Sequence, residues 1–156
     1  MGVAPADVQI RAATPADCDE LREVAVASKA SWGYPREVMG DWAESLHISP
    51  ELLDATETVV AEAGGRTVGW AQLIPPVAGV AVLDHLWIVP DWMRTGIGTR
   101  LFRWAAARAR ELGASAMEWE SDPNAVGFYR RMGGRTVRTQ RSEWDRDLPV
   151  MAVELR

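Results

Sequence analysis

Gly96 and Gly98 stand two residues apart, after a β-rich run that Pro90 closes and before Thr99 to Leu112, where Leu101, Trp104, Ala105 and Arg108 recur at helical spacing. The first main-chain N–H groups of a helix have no partner inside it, and the helix dipole adds partial positive charge there. Glycine removes the Cβ atoms that would hold a phosphate away from those amides. The chemistry on offer is an anion cradle, most naturally for a pyrophosphate. A nucleoside-triphosphate loop would need Gly-Lys-Ser/Thr, and Gly98 is followed by Thr99 and Arg100, so that class is excluded. A dinucleotide fingerprint would need a third glycine where Leu101 stands. Glu118 or Glu120 lies at about the distance a ribose-binding acid requires, which keeps this reading in play. The long gap between strand and glycines and the lack of a second set of β-α-β units weigh against it.

The elements that must position this loop are legible on both sides of it. Val8 to Ala12 alternates as a strand, and Thr14-Pro15-Ala16-Asp17 supplies an N-cap, a proline at the first helical position and an acid at the third. Cys18, Leu21, Val24 and Ala25 form the apolar face of the helix that follows. A second helix is predicted from Pro35 to Leu46, and Ser49-Pro50 caps one more turn. Thr58 to Ala63 and Thr67 to Ile74 are strands joined by the hairpin signal Gly64-Gly65-Arg66, with Pro75-Pro76 expected to stop the second. Val80 to Val89 is a long strand. Gly113 ends the arginine-rich helix, Ala116 to Ser121 is a strand, and Pro123 to Met132 is a short helix ended by Gly133-Gly134. Arg135 to Arg138 and Val150 to Leu155 complete the chain as strands. Hairpins mixed with one β-α-β unit predict a mixed α/β sheet.

The 156 residues, 47% hydrophobic and 25% charged, are expected to form one domain over 1–156 with no room for a second. No apolar run reaches a membrane span, and the N-terminus lacks a signal-peptide layout, so the expectation is a cytoplasmic protein with no membrane partner. One cysteine, Cys18, builds neither a disulfide nor a metal cluster, and no metal is expected. The net charge of −5 argues against a nucleic-acid partner. The charge is uneven: the first 93 residues carry five basic and fourteen acidic side chains, whereas 94–146 carry eleven arginines against six acids. That suggests an anionic ligand on the later segment and a cationic one near the earlier, unless both are ordinary solvated faces. Most of the eight tryptophans should be core.

The stretch Ile88-Val89-Pro90 through Gly96-Ile97-Gly98 resembles the acyl-coenzyme A-binding motif of the GNAT superfamily of N-acetyltransferases, a strand ending in Val-x-Pro and then Gln/Arg-x-x-Gly-x-Gly/Ala opening a helix. Met93 stands where Gln or Arg is usual, with Arg94 as the neighbouring side chain. Asn124-Ala125-Val126-Gly127-Phe128-Tyr129 through Gly133 is similar to the family's later motif, Asn-x-x-Ala-x-x-Phe-Tyr-x-x-x-Gly-Phe, in compressed form, with Gly127 for the commoner Ala and Gly134 for the closing aromatic. The resemblance covers nearly the whole chain. It implies a mixed, mostly antiparallel central sheet flanked by helices, with a splayed strand pair holding the cofactor. The implied activity is transfer of an acetyl or other small acyl group from acetyl-coenzyme A to an amine, by direct attack in a ternary complex. A non-catalytic acyl-coenzyme A-binding module on the same fold is the alternative.

The resemblance also implies roles. Amides of Arg94, Thr95, Gly96, Ile97, Gly98 and Thr99 would take the pyrophosphate, while the strand edge at Trp87, Ile88 and Val89 pairs with the pantetheine arm. The Ile88 amide would polarise the thioester carbonyl. Asn124 would hold the arm or the following turn, Phe128 belongs with the cofactor group, and the later arginines would surround the remaining phosphate. Tyr129 is the expected general acid, with a core tyrosine as the other reading. Asp84 is the expected base, directly or through water, and Glu118 and Glu120 are second choices; each is otherwise a strand-edge or substrate-anchoring charge. Strand alternation would turn His85 to the face opposite Asp84. Trp32 and Tyr34 are expected to wall the acceptor pocket and to pack an aromatic group or face a cation. Trp42 fits the core better, and His47 the surface. Cys18 lies away from both motifs, which argues against an acyl-cysteine route. The acidic first half leans toward a cationic small-molecule acceptor such as a polyamine, an amino-sugar or an amino-acid derivative, with a peptide N-terminus or lysine as the other acceptors left open. Dimerisation is common in such proteins, and no residue of this sequence specifies it.

Overall fold

The computed structural model describes residues 7–142 and 146–156. Twelve principal elements follow one another: β1 (Gln9–Ala12), α1 (Cys18–Ala30), α2 (Arg36–Ser45), α3 (Pro50–Ala55), β2 (Glu57–Ala63), β3 (Arg66–Val77), β4 (Val80–Ile88), α4 (Ile97–Glu111), β5 (Ala116–Glu120), α5 (Val126–Arg131), β6 (Arg135–Arg141) and β7 (Asp147–Glu154). The start of α1 follows its sequence signals. After Thr14 comes a single 3₁₀ turn, Pro15–Asp17, and the Asp17 carboxylate accepts from the Thr14 N–H at 2.7 Å and from both Arg11 terminal nitrogens at 2.9 Å. That ion pair holds the Asp17 carboxyl down at about 2. Ser49 caps α3 by accepting from the Leu52 N–H.

The strands form one sheet in the order β1-β2-β3-β4-β5-β7-β6, antiparallel except for the β4–β5 pair. Helices lie on both faces. Successive residues of a strand point to opposite sides, and on β3 the Trp70 indole donates to the Leu21 carbonyl of α1. A Cβ on the neighbouring Gly69 would instead meet Leu101 of α4 at 3.3 Å. Hence α1 covers one face and α4 the other. Trp70 and Trp119 are fully buried, Trp42, Trp87, Trp92 and Trp104 pack against the core, Trp32 is exposed, and Trp144 lies outside the described residues.

β3 differs from its predicted extent. It runs through Pro75 and Pro76 to Val77. Its partner β2 ends opposite Leu73, so beyond that point β3 has a neighbour on one side only, and there the β4 register skips from Ile74↔Val82 to Val77↔Val80. Prolines are tolerated where no ladder hydrogen bond is asked of them. The helix predicted over Pro123 to Met132 is a 3₁₀ turn, Pro123–Ala125, followed by the shorter α5.

Two irregularities of β4 position the site. β4 and β5 are paired only over Val80↔Ala116, Ala81↔Met117 and Val82↔Glu118, after which they splay. A bulge opposite Gln72/Leu73 leaves Asp84 as the extra residue between Leu83↔Leu73 and His85↔Gln72.

Candidate active site

The splay leaves the far edge of β4 open from Leu83 onward. The Val89 N–H donates to the Val68 carbonyl at 2.9 Å, so the adjoining pair, Gly69↔Ile88, is a non-hydrogen-bonded one. The Ile88 N–H therefore points away from β3 and into the gap. Past the strand end, a 3₁₀ turn (Pro90–Trp92) leads to the glycine loop, where Arg94 and Gly96 both have positive φ, 64° and 89°. Gly96 serves this backbone conformation, and a Cβ there would meet nothing within 4 Å. Gly98 has a different reason: its Cβ would approach the Phe128 ring to 3.3 Å. The two glycines thus do separate work, one shaping the loop and one letting α5 pack on the start of α4. Among the described residues, no main-chain N–H from Arg94 to Thr99 donates to another main-chain carbonyl, while the Thr95 hydroxyl ties the loop to the Trp92 carbonyl. Free amides at the head of a fifteen-residue helix, next to an open strand edge, fit a pyrophosphate with an extended arm.

On the α1 side of the sheet lies a cavity of about 1040 Å³. Asp84, His85, Trp87, Glu118, Glu120, Tyr34, Trp42 and the exposed His47 all line it. Trp32 does not; it is 39% exposed on the turn after α1, which corrects the expectation that it walls the pocket. Trp42, expected in the core, both packs there and reaches the cavity, its ring edge-on to Trp87 at 5.3 Å.

His85 and Asp84 share this cavity, contrary to the expectation from strict alternation. The bulge at Asp84 shifts the pleat by one residue, so both side chains come to the same face, with His85 Nε2 3.7 Å from the Asp84 carboxylate. His85 stacks on Trp70 at 4.9 Å, and its Nδ1 accepts from the Trp87 indole N–H at 2.9 Å. An indole N–H only donates, which fixes the neutral tautomer with its hydrogen on Nε2. Burial pushes the His85 pKa down against the pull of Asp84. Its one lone pair is occupied, whereas Asp84, 44% exposed at its side chain, faces no lysine or arginine among the described residues and keeps its lone pairs open to the cavity.

Tyr129 sits where Phe102, Trp119 and Phe128 converge, with ring centroids 4.9–6.2 Å away. Its hydroxyl has no hydrogen-bond partner among the described residues, unlike a core tyrosine tied to backbone. Burial pushes its pKa well above the ordinary tyrosine value, with Asp122 adding to the shift, so the phenol stays protonated.

Asp122, which the sequence did not single out, organises the far end of the cavity. It accepts from the Tyr34 hydroxyl at 2.6 Å and from the Asn124 main-chain and side-chain nitrogens at 2.8 and 2.9 Å, and pairs with Lys29 at 3.4 Å. Burial opposes its ionisation, yet the Tyr34 hydroxyl, Asn124 and Lys29 together hold its pKa below the usual value. Asn124 thereby fixes the turn before α5. The Lys29 ammonium lies 4.9 Å from the Tyr34 ring centroid and 5.1 Å from that of Trp42. The cation facing these aromatic rings is the protein's own. Arg138 and Arg146, from the β6–β7 hairpin, also reach the cavity, and Arg108, on α4, pairs with Glu57 and Glu111. The arginines after residue 94 are therefore not gathered around the phosphate cradle as a group.

Residues 18–134 match the model of the acetyltransferase (GNAT) family. The chain belongs to this family. Solved structures agree on the fold. A GCN5-related N-acetyltransferase from Rhodopseudomonas palustris superimposes with a TM-score of 0.81 at 22% identity, covering 99% of this chain and 98% of the other. The PaiA N-acetyltransferase from Thermoplasma acidophilum, in complex with coenzyme A, gives 0.77 at 21% identity over 94% and 98%. A GNAT family acetyltransferase from Brucella melitensis, in complex with acetyl-coenzyme A, gives 0.68 at 24% over 96% and 88%. No curated protein matches the sequence. Among the described residues, no helix is long and apolar enough to cross a membrane.

Proposed function

We propose that the protein transfers an acetyl group from acetyl-coenzyme A to a small-molecule amine by direct attack. The observation that carries this reading is the open edge of β4: the Ile88 N–H faces the splay, and the unpaired amides of Arg94 to Thr99 follow it. Those amides hold the pyrophosphate and the edge from Trp87 to Val89 holds the arm, while acetyl-coenzyme A supplies the thioester carbonyl. The coenzyme A and acetyl-coenzyme A in two of the structural relatives support this choice of donor.

The chain's residues then divide the proton work. Ile88 donates its N–H to the carbonyl oxygen as charge gathers there. Asp84 takes the proton of the incoming ammonium, directly or through water, and the neutral His85 beside it presents its Nε2 hydrogen toward the same carboxylate. A C–N bond forms, the C–S bond breaks, and Tyr129 gives its phenolic proton to the departing sulfur; the second proton lost by the nitrogen leaves through water in the cavity, and solvent re-protonates the phenolate as coenzyme A departs. Burial keeps the phenol in the protonated form a general acid must have, and a thiolate formed in the same buried surroundings is made more basic by the same loss of water. Glu118, paired with Arg138 at 2.8 Å, is a wall of the cavity rather than a base. The single cysteine supports a reducing, cytoplasmic setting.

The test is calorimetry with acetyl-coenzyme A, followed by coenzyme A release over a panel of amines. Binding and turnover are expected. Binding without release from any amine would replace the enzyme with an acyl-coenzyme A-binding module, and a protein that binds nicotinamide dinucleotide instead would overturn the reading at its base.

A further inference from the structure

Most of the charged side chains lining the cavity are engaged, and two lack an ionic partner among the described residues. Glu118 pairs with Arg138 at 2.8 Å, Asp122 with Lys29 at 3.4 Å and Arg141 with Asp147 at 3.3 Å, and Glu120 is engaged as well. The exceptions are Asp84 and Arg146. Asp84 has only the neutral His85 beside it. Arg146 lies over the Tyr34 ring at 5.5 Å and donates one N–H to the Tyr34 hydroxyl at 3.3 Å, with no carboxylate partner among the described residues. The two belong to different parts of the wall, Asp84 to the bulge of β4 at the splay and Arg146 to the segment just before β7 that contacts Tyr34. The wall thus offers an unpaired carboxylate at the β4 bulge and, beside Tyr34, a guanidinium with no carboxylate partner among the described residues.

We propose that the acceptor is an amine that carries its own carboxylate, as an amino acid does, seated with its carboxylate on Arg146 and its amine toward Asp84. This rests on the acetyl-transfer reading above and narrows its substrate class. A guanidinium has five N–H donors in a planar fork, and Arg146 uses one, so two parallel donors remain for a carboxylate. The Tyr34 ring holds the fork in place, and the Tyr34 hydroxyl, which donates to Asp122, keeps that acid turned toward Lys29 and Asn124. A polyamine or other purely cationic acceptor would leave Arg146 without a counter-charge and would meet Lys29 at the same aromatic end. Within the cationic small-molecule class expected from the acidic first half of the chain, this selects amino-acid-like acceptors over polyamines.

The experiment compares amino acids, from α-amino acids to longer ω-amino acids, with their own primary amides, which keep the amine and lose the carboxylate charge. The α-amide has the less basic amine, so more of it is unprotonated at neutral pH, and any preference for the free acid runs against that effect. The expected result is a kcat/KM at least about ten-fold higher for the best acid than for its amide, lying mainly in KM. Arg146→Gln should shrink the acid-to-amide ratio about ten-fold or more, and Arg146→Lys, which keeps the charge but not the fork, should restore part of it. Amides that equal or outperform the acids, or an Arg146→Gln variant with an unaltered ratio, would overturn the proposal. So would a panel without any turnover by a protein that binds acetyl-coenzyme A. Failure to bind acetyl-coenzyme A in calorimetry on the same preparation would instead sink the acetyl-transfer reading, and this inference with it.

Discussion

The two halves of the site are made of different material. On the α4 side, the cradle from Arg94 to Thr99 is main chain: its donors are amides, and its shape follows from positive φ at residues 94 and 96. On the α1 side, the cavity proposed for the acceptor is a side-chain network in which Asp122 alone gathers Tyr34, Asn124 and Lys29. Backbone donors survive any substitution except proline, and they tolerate many side chains around them. A side-chain network can be retuned one residue at a time. A fold built this way can keep one donor while changing acceptors.

Tyr129, packed beside Phe128, which itself rests against the cradle's Gly98, carries the largest expected effect. Tyr129→Phe keeps the ring against Phe102 and Trp119 and should lower kcat by about 10²–10⁴-fold while acetyl-coenzyme A affinity stays within about two-fold. Steady-state kinetics and calorimetry check this, and unchanged turnover would remove Tyr129 from the chemistry. The main-chain character of the cradle is sharpened by contrasting substitutions. Gly96→Val forces a β-branched residue to φ 89° and should cost about 1–2 kcal/mol of stability and about ten-fold in acetyl-coenzyme A affinity. Arg94→Gly relieves the same kind of strain and should raise stability by about 0.5–1 kcal/mol with little change in affinity. A large affinity loss in the second variant would show that a side chain, not the backbone, holds the donor.

On the other side, Asp122→Asn should raise the KM for the acceptor about ten-fold without altering acetyl-coenzyme A binding, because it strips Lys29 of its counter-charge. Equal damage to both ligands would erase the distinction between the two halves. The smallest effect concerns pH. His85 is held neutral by burial, so its contribution to stability is complete above the ordinary histidine value and is lost as pH falls through that value toward the depressed folded pKa. Trp87→Phe removes the indole N–H that occupies Nδ1 and should move the His85 titration upward, as read by NMR. An unmoved titration would mean that burial, not the hydrogen bond, keeps His85 neutral.

The same division decides how much the sequence reveals. The cradle is local: strand, Pro90, two glycines and helix lie within a dozen residues, and glycine spacing reports backbone shape directly. The sheet and helices follow from short-range signals such as Thr14-Pro15 and Gly64-Gly65. The acceptor cavity is made of contacts between distant residues, Tyr34 with Asp122 and Arg146 with Tyr34, and nothing in the sequence near any of them announces the others. His85 was misplaced for a subtler reason, since alternation assumes an unbroken pleat and the bulge at Asp84 adds one residue that no turn signal marks. The prolines of β3 misled in the opposite direction, because a strand with only one neighbour does not need every N–H.

Lys29 has a further meaning beyond the geometry of the cavity. It is the only lysine in 156 residues, since the other sixteen basic side chains are arginines. Arginine stays protonated and does not accept acyl groups under these conditions. Lys29 itself is 15% exposed, wedged between two rings and bound to Asp122, and burial pushes the Cys18 thiol away from its reactive thiolate. The side chains of this protein are therefore poor targets for the activated acyl donor it is built to hold, so chemical self-modification takes little of the acyl group away from the intended acceptor.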